Sequence, residues 1–460
     1  MKFYNTLTRT VEEFKEIEKG HIGLYTCGPT VYDYAHIGNF RSYIFEDLVK
    51  RFFIFQGYKV KHVMNITDID DKTIRKANEL QLPLNEVTQK YIGAFNEDMH
   101  SLNILAADVY PRATDNIPEM IALIDTLLGK GFAYKKDGSV YFSIASFQNY
   151  GRLANIDQDS LKPGTALELD EYDKEAAQDF VLWKGKKPDE PAWPAPFGQG
   201  RPGWHIECSA MSMKYLGPHF DIHMGGVDNI FPHHENEIAQ SECANGQKFV
   251  NYWLHCQHLV VDNKKMSKSA GNFYTLRELL QRGHDPLAIR YLLISSHYRK
   301  LLNFSLDSLE MAAQALARIR NFVFSLKNIS RASEDTIEIG RLIEANQDAF
   351  TENLADDFNI SGALGNLFDV IHEVNQRMNN LSQKDAAKIL TFVDRLNMVL
   401  GILDGGEAKP LEAVITDKIA RRERARKSKD FALADAIRAE LKNQGITLLD
   451  TAAGVKWKKE

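Results

Sequence analysis

Short apolar runs and helix-spaced apolar positions alternate through the first part of the chain. Ile22-Gly23-Leu24-Tyr25-Thr26-Cys27 is a compact run broken by Gly28-Pro29, the pattern of a buried strand running into a turn. Phe45, Leu48, Val49 and Phe52 then fall on one helical face, Gly57 interrupts, and residues 60–64 form a second apolar run. Strand, helix and strand make a βαβ unit, the building block of a parallel, doubly wound sheet. The turn carries no G-x-G-x-x-G, so a dinucleotide has little support.

Past Thr114 the texture changes to α+β. Phe132 and Tyr134, then Val140 and Phe142, alternate on either side of Asp137-Gly138, a hairpin signal. The proline-rich residues 188–202 read as an irregular return to the first unit, and another nucleotide-fold segment runs from Gly203 to about Asp262. Beyond Leu306 helical periodicity takes over, as in residues 309–326 and 386–403. Gly405-Gly406-Glu407-Ala408-Lys409-Pro410 reads as a linker before a small C-terminal unit. The fold class expected is α/β: a Rossmann-like parallel sheet split by an α+β insertion, then a helical bundle and a small mixed domain. The boundaries fall at residues 1–113, 114–202, 203–262, 263–308, 309–404 and 411–460.

Composition narrows the class. With 460 residues and 44% apolar content the chain can build several cores, at roughly 100–200 residues per domain. A net charge of −6 excludes a polycation that coats nucleic acid, and four cysteines in this length do not make a disulfide framework. The N-terminus leads into the polar residues 12–19 without a signal-peptide core, and no apolar run is long enough to span a bilayer. A cytoplasmic monomer is therefore expected, with cysteines as thiols or metal ligands.

Two separated motifs suggest phosphate chemistry. His36-Ile37-Gly38-Asn39 stands in the first βα turn, where a helix N-terminus favours anions and Gly38 permits close approach. Alone, it reads equally well as a capped helix start. Lys264-Lys265-Met266-Ser267-Lys268-Ser269 is a basic, hydroxyl-rich loop; its lysines suit a departing pyrophosphate, although such runs are usually solvated. Together the pair resembles the signature of class I aminoacyl-tRNA synthetases. The resemblance implies that His36, Asn39, Lys265 and Lys268 bind ATP with Mg2+ and promote attack of an amino-acid carboxylate on its α-phosphate. Asn39 replaces the commoner histidine but still offers an amide donor. Gly226 and Asp228, in Gly225-Gly226-Val227-Asp228 followed by His233, resemble that family's ribose-binding element.

Cys27, Cys208, His233 and Glu237 form a reasonable tetrahedral zinc set, and His233 and Glu237 share a helical face. An ordinary helix salt bridge is the competing reading of that last pair. Residues 27–32, 201–211 and 231–237 are similar to blocks of the cysteinyl-tRNA synthetase family, and the resemblance covers nearly the whole chain. It implies one zinc ion on these four residues, with Gly28, Thr67, Trp204 and His223 around the substrate cysteine. His234 reads as pointing away from the metal or orienting it. Cys256 and His258 alternate along an expected strand and could share a face, with packing the preferred reading, and Cys243 reads as a half-buried helix residue.

After Asp417 twelve basic residues face six acidic ones, so this segment carries +6 and the remainder −12. A basic tip on an acidic body suggests an RNA contact. The resemblance implies a tRNA for cysteine as partner, with Arg426, Phe431, Asp435, Arg438 and Asp450 as candidate anticodon readers through stacking and edge hydrogen bonds. Residues 356–364 resemble the family's helical tRNA-binding domain. Two rivals share parts of this pattern: a ligase passing activated cysteine to an amino sugar, and a catalytically dead RNA-binding relative. The basic tip argues against the first, and intact His36, Asn39, Lys268 and metal ligands argue against the second.

Overall fold

Two short strands, β1 (Lys2–Asn5) and β2 (Thr10–Glu13), pair antiparallel and lead into β3 (His21–Thr26). The structure, a computed structural model, describes residues 1–156, 179–267, 271–332 and 337–403. It also describes scattered helical residues between 419 and 441 and strands at 446–451 and 454–459. Strand β3 stops at Thr26, which leaves Cys27 just beyond the sheet. Helix α1 (Ile37–Phe55) buries Phe40, Ile44, Leu48, Val49 and Phe52, and β4 (Lys59–Met64) returns parallel to β3. This is the βαβ unit that the apolar pattern predicts.

Helices α2 (Asp71–Leu80), α3 (Leu84–Ser101) and α4 (Ile117–Gly129) follow. Strands β5 (Ala133–Lys136) and β6 (Ser139–Ser143) form the expected hairpin, with φ of 49° at Asp137 and 77° at Gly138. Those positive angles are what Asp-Gly supplies in a tight hairpin turn. β7 (Asp179–Gly185) and β8 (Gly200–Pro202) complete an antiparallel sheet. Its Val140, Phe142, Phe180, Leu182 and Trp183 share one core with Tyr25, Ile206, Phe220 and Trp253. The insertion is therefore packed into the first unit and does not hang from it.

α5 (Trp204–Leu216), β9 (Phe220–Gly226), α6 (Glu235–Asn245) and β10 (Val250–Cys256) form the second half of the parallel sheet. The strand order is β10-β9-β3-β4, all parallel. The spacing around Pro232 predicts a helix start there, and Ile230–His234 is a π-helical turn whose one non-helical residue is Phe231, so helical backbone runs from Pro232 into α6. Phe231 is extended, as the residue before a proline usually is. Cys243 proves buried, at 7% exposure, because this face of α6 packs on the shared core. Strand β10 ends at Cys256, so Cys256 is buried while His258 is exposed, and the two do not share a strand face.

Next come β11 (Leu259–Val261), β12 (Lys264–Lys265), α7 (Leu276–Gln281), α8 (Pro286–Ile294) and β13 (Leu302–Phe304). The bundle comprises α9 (Leu306–Lys327), α10 (Ile337–Ala355), α11 (Ile360–Gln376) and α12 (Gln383–Leu400). At the C-terminus β14 (Ile446–Thr451) and β15 (Gly454–Lys459) pair antiparallel. No helix among the described residues is long and apolar enough to cross a membrane.

Polar ties lock the bundle onto the sheet. Asp357, between α10 and α11, accepts from the Tyr4 N–H at 2.9 Å, the Tyr298 hydroxyl at 2.6 Å and Arg299 Nε at 2.8 Å. Arg290 of α8 is fully buried and pairs with Asp47 of α1, while donating to the carbonyls of Leu400, Leu102 and Asn103. Removing one partner from a buried, hydrogen-bonded ion pair typically costs about 3–5 kcal/mol. Arg290→Met should lower the first transition of chemical denaturation by a cost of about that size. A midpoint unchanged from the parent would show the tie to be energetically idle.

Candidate active site and metal centre

In an open parallel sheet, ligands bind outside the carboxyl ends of the strands where the strand order reverses. Here the reversal lies between β3 and β9, and Cys27 stands at that point, its N–H reaching Met224 O at 3.3 Å. Gly28 N–H donates to Asn65 Oδ1 at 2.9 Å. A Cβ on Gly28 would lie 1.7 Å from the Asn65 carbonyl oxygen, so only glycine lets the strand exit pass this close.

Four candidate metal ligands meet here. Cys27, Cys208 on α5, His233 and Glu237 on α6 place ligand atoms within 4.8 Å of one another. His233 Nε2 lies 3.1 Å from Glu237 Oε1, yet that oxygen has no hydrogen-bonded partner. Two ligands sharing a tetrahedral ion at bonds of ~2.0–2.1 Å stand about 3.3 Å apart without bonding each other. The donor chemistry and the orphaned carboxylate oxygen both fit a metal. A second set, Cys27, His223, His234 and Glu237, meets the same distance limit. His234 therefore does not point away: its Nε2 lies 3.2 Å from Cys27 Sγ and its Nδ1 2.8 Å from His255 Nε2.

Burial dominates the electrostatics. It pushes the Cys27 thiol well above the ordinary thiol range, with help from neighbouring Cys208 and Glu237, and raises the Glu237 carboxyl strongly. Burial also holds His233 and His234 well below the ordinary imidazole value, with neighbouring histidines adding to it. His205, His223 and His255 fall to about 3 for the same first reason. Neutral imidazoles are the ligand form, and a bound cation would draw off the thiol and carboxyl protons.

The other pocket candidates surround this cluster. Trp204 stacks on His233 with ring centroids 4.2 Å apart. His223 Nε2 meets Glu237 Oε2 at 2.9 Å, and Thr67 Oγ1 donates to Glu207 Oε2 at 2.9 Å. Sequence reasoning missed His205, Glu207 and His255. His205 Nδ1 lies 3.0 Å from His233 Nδ1, and His255 Nδ1 2.8 Å from Thr6 Oγ1. The spacing of His205 and Cys208 three apart on α5 was a usable signal. Nothing local marks Glu207 or His255.

The two phosphate motifs are brought together. His36 caps α1: its Nδ1 accepts from Asn39 N–H at 3.2 Å, and Asn39 Oδ1 accepts from His36 N–H at 3.1 Å. The capped-start reading is thus realised at the same residues that stand on the rim. Ile37 N–H donates to Tyr274 O at 3.0 Å, and the His36 and Phe273 rings meet edge-on at 5.3 Å. A Cβ on Gly38 would touch Met266 at 3.3 Å. Lys265 is exposed on β12, and Lys268 lies outside the described residues. Gly226 ends β9, and Asp228 stands exposed in the following turn.

The C-terminal candidates are described only in part. Arg426, Asp435 and Arg438 are exposed helical residues. Ile437, Leu441 and Ile446 form a small core. Asp450 lies on β14 opposite Val455, while its side chain and the whole of Phe431 lie outside the described residues.

Comparison with known proteins agrees with this arrangement. Residues 13–314 match the family described as tRNA synthetases class I (C) catalytic domain, and residues 349–404 match the DALR domain. The chain is 50% identical over 469 residues to the cysteine–tRNA ligase of Brachyspira hyodysenteriae, covering 100% of this chain and 99% of that one. Against that of Chlamydia pneumoniae it is 47% identical over 465 residues, covering 99% and 98%. A solved leucyl-tRNA synthetase complex from Agrobacterium radiobacter shares the fold, with TM-score 0.63, 12% identity and 85% of each chain covered. Mycobacterium tuberculosis methionyl-tRNA synthetase with methionyl-adenylate matches at TM-score 0.58 and 15% identity, covering 83% of this chain and 90% of that one.

The close Gly28–Asn65 approach makes a test of the metal centre. Gly28→Ala should displace Cys27 and weaken metal binding by about 10–100-fold, the scale typical of lost ligand support. Gly93→Ala, where a Cβ would meet nothing within 4 Å, should leave it intact. Metal titration against a chelator distinguishes them, and equal affinities in both variants would remove Cys27 from the ligand set.

Proposed function

The chain belongs to the cysteine–tRNA ligase family, and on that footing we propose how its residues divide the work. It is a class I enzyme that joins L-cysteine to tRNA at the expense of ATP. Cysteine is first activated as the adenylate and then transferred to the tRNA. The proposed metal is zinc, held by Cys27, Cys208, His233 and Glu237. The observation that supports this most is the convergence of those four residues, all but Cys27 buried, around an orphaned carboxylate oxygen at the strand-order reversal.

When bound, zinc supplies a borderline-soft acid that prefers a thiolate to an alcohol. Gly28 gives the substrate close access to the backbone, and Thr67, Trp204 and His223 line its pocket. His223 also orients Glu237 through their 2.9 Å contact. His36 and Asn39 receive the phosphates of ATP, carried with Mg2+, at the N-terminus of α1, where the helix dipole favours anions. Gly226 lets the adenosine approach the strand end, and Asp228 accepts protons from the ribose hydroxyls. Lys265 and Lys268 stabilise the charge that builds on the departing pyrophosphate.

We assign residues 1–113 and 203–262 to the catalytic sheet, 114–202 to the insertion and 263–308 to the signature-loop and stem region. Residues 309–404 make the tRNA-binding bundle, and residues 411–460 read the anticodon with Arg426, Phe431, Asp435, Arg438 and Asp450. The enzyme works as a cytoplasmic monomer in this reading. Cysteine-dependent ATP–pyrophosphate exchange followed by charging of tRNA tests the whole sequence of steps. Transfer of cysteine to an amino sugar in place of tRNA would replace it.

Two outcomes are expected. A chain ending at Leu403 should keep pyrophosphate exchange while tRNA charging collapses through lost affinity; full charging would make the basic tip incidental. In enzyme carrying cobalt(II), free cysteine should add thiolate-to-metal charge-transfer absorption and serine should not. A cobalt spectrum untouched by cysteine that is still activated would make the metal structural.

A further inference from the structure

The last carbonyls of a helix have no partner within the helix and usually meet water or a cap. Those of α12 meet the catalytic unit instead. Met398 O accepts from Arg51 Nη1 at 3.1 Å, Leu400 O from Arg290 Nε at 2.8 Å, and Gly401 O from Asn103 Nδ2 at 2.8 Å. The same two arginines hold the end of α3: Arg51 Nη2 donates to Asn103 O at 2.6 Å, and Arg290 Nη1 to Leu102 O and Asn103 O at 3.1 Å each. Asp47 joins them, its Oδ2 pairing with Arg51 Nε at 2.7 Å and with Arg290, its Oδ1 accepting from Leu105 N–H at 2.8 Å. Two guanidinium groups thus neutralise one carboxylate and two helix C-termini, where the dipoles favour cations.

The knot is dry. Asp47 is 2% exposed, Arg51 7% and Arg290 0%. Gly401 has φ of 62°, and a Cβ there would meet Arg290 within 2.8 Å, so the chain passes against the guanidinium. In sequence, the C-terminal residues follow this point. Hydrogen bonds to charged groups are worth about 1.5–3 kcal/mol each and are expensive to leave unmade when buried. A displacement of the α12 exit is therefore carried into its partners rather than absorbed locally. Arg51 and Asp47 belong to α1, whose other end carries His36 and Asn39.

We propose that Arg51, through Asp47 and Asn103, is a positioning residue that registers the exit of the bundle on α1, so that binding of the anticodon is felt at the catalytic end of that helix. The proposal rests on the reading of the C-terminal unit as the anticodon binder. Arg51→Lys keeps a cation for Asp47 but cannot fork to Met398 and Asn103. Asn103→Gly removes the tie to Gly401 and suits the φ of 52° there. Melting curves and tRNA-independent pyrophosphate exchange identify folded, active variants.

The test is the charging kcat of the full-length parent and both variants, each with a normal tRNA and with one carrying a substituted anticodon base. Allosteric couplings are typically about 5–150-fold, and the kcat penalty of the substituted base should shrink by about 5-fold or more in the variants. Penalties that simply multiply with the variant's own effect would make the knot a purely structural tie and overturn the proposal. A parent whose charging ignores the anticodon would overturn the RNA reading, and the coupling with it.

Discussion

Parallel pairing of β3 with β9 is the contact on which the active site depends. It joins two halves of the chain separated by the whole insertion, through Leu24, Tyr25 and Thr26 against Ile222, His223 and Met224. Because the strands run the same way, both end on one edge, and their connections depart on opposite sides. Cys27 and Gly226 follow from that edge, and α5 and α6 then bring Cys208, His233 and Glu237 over it. A slip of one residue in this pairing would turn His223 from one face to the other. The register is held by burial on both sides, since Leu24, Tyr25, Ile222 and Met224 are all 0–1% exposed.

The same edge concentrates groups that are costly to bury. Glu207, Glu237, His223, His233 and His234 are at most 1% exposed, and without a cation all are driven toward their neutral forms. A core made for stability alone would replace them with apolar side chains. The hydrogen bonds among them are incomplete, with Glu207 Oε1, Glu237 Oε1 and His223 Nδ1 unpartnered. Those gaps are what a site looks like when its missing partner is a metal or a substrate. Two overlapping sets of candidate ligands share Cys27 and Glu237, one completed by Cys208 and His233 and the other by His223 and His234.

The elements were legible in the sequence wherever periodicity or turn chemistry was local. The βαβ unit, the Asp137-Gly138 hairpin and the long helices could be read because each is specified by its own residues. The helix start at Pro232 was legible as well, because Phe231, extended before the proline, marks where helical backbone begins. The four candidate ligands emerged from residue types and a family resemblance, whereas His255 and Glu207 could not. Each owes its place to strand order and helix packing, which no local spacing records. Packing, the preferred reading of Cys256, holds because β10 ends there with its side chain in the core, and the alternation that could have put His258 on the same face ends with it.

The zinc proposed for this site would account for selectivity for a thiol over a hydroxyl. Shape alone discriminates so small a change by only ~1–3 kcal/mol, and a hydrolytic sieve needs a separate cavity. The insertion offers none among its described residues: the apolar side chains of β6 and β7 are spent on the core shared with Tyr25, Ile206 and Trp253. Its sheet braces α5, which carries Cys208, and Tyr150 and the backbone of Gly151 and Ala154 hold Asn236 and Glu235 at the start of α6. The insertion thus braces α5 and the start of α6, which carry or adjoin three of the four candidate ligands. In the proposed reading discrimination falls to the metal chemistry, and the fold's task is to hold the candidate ligands still.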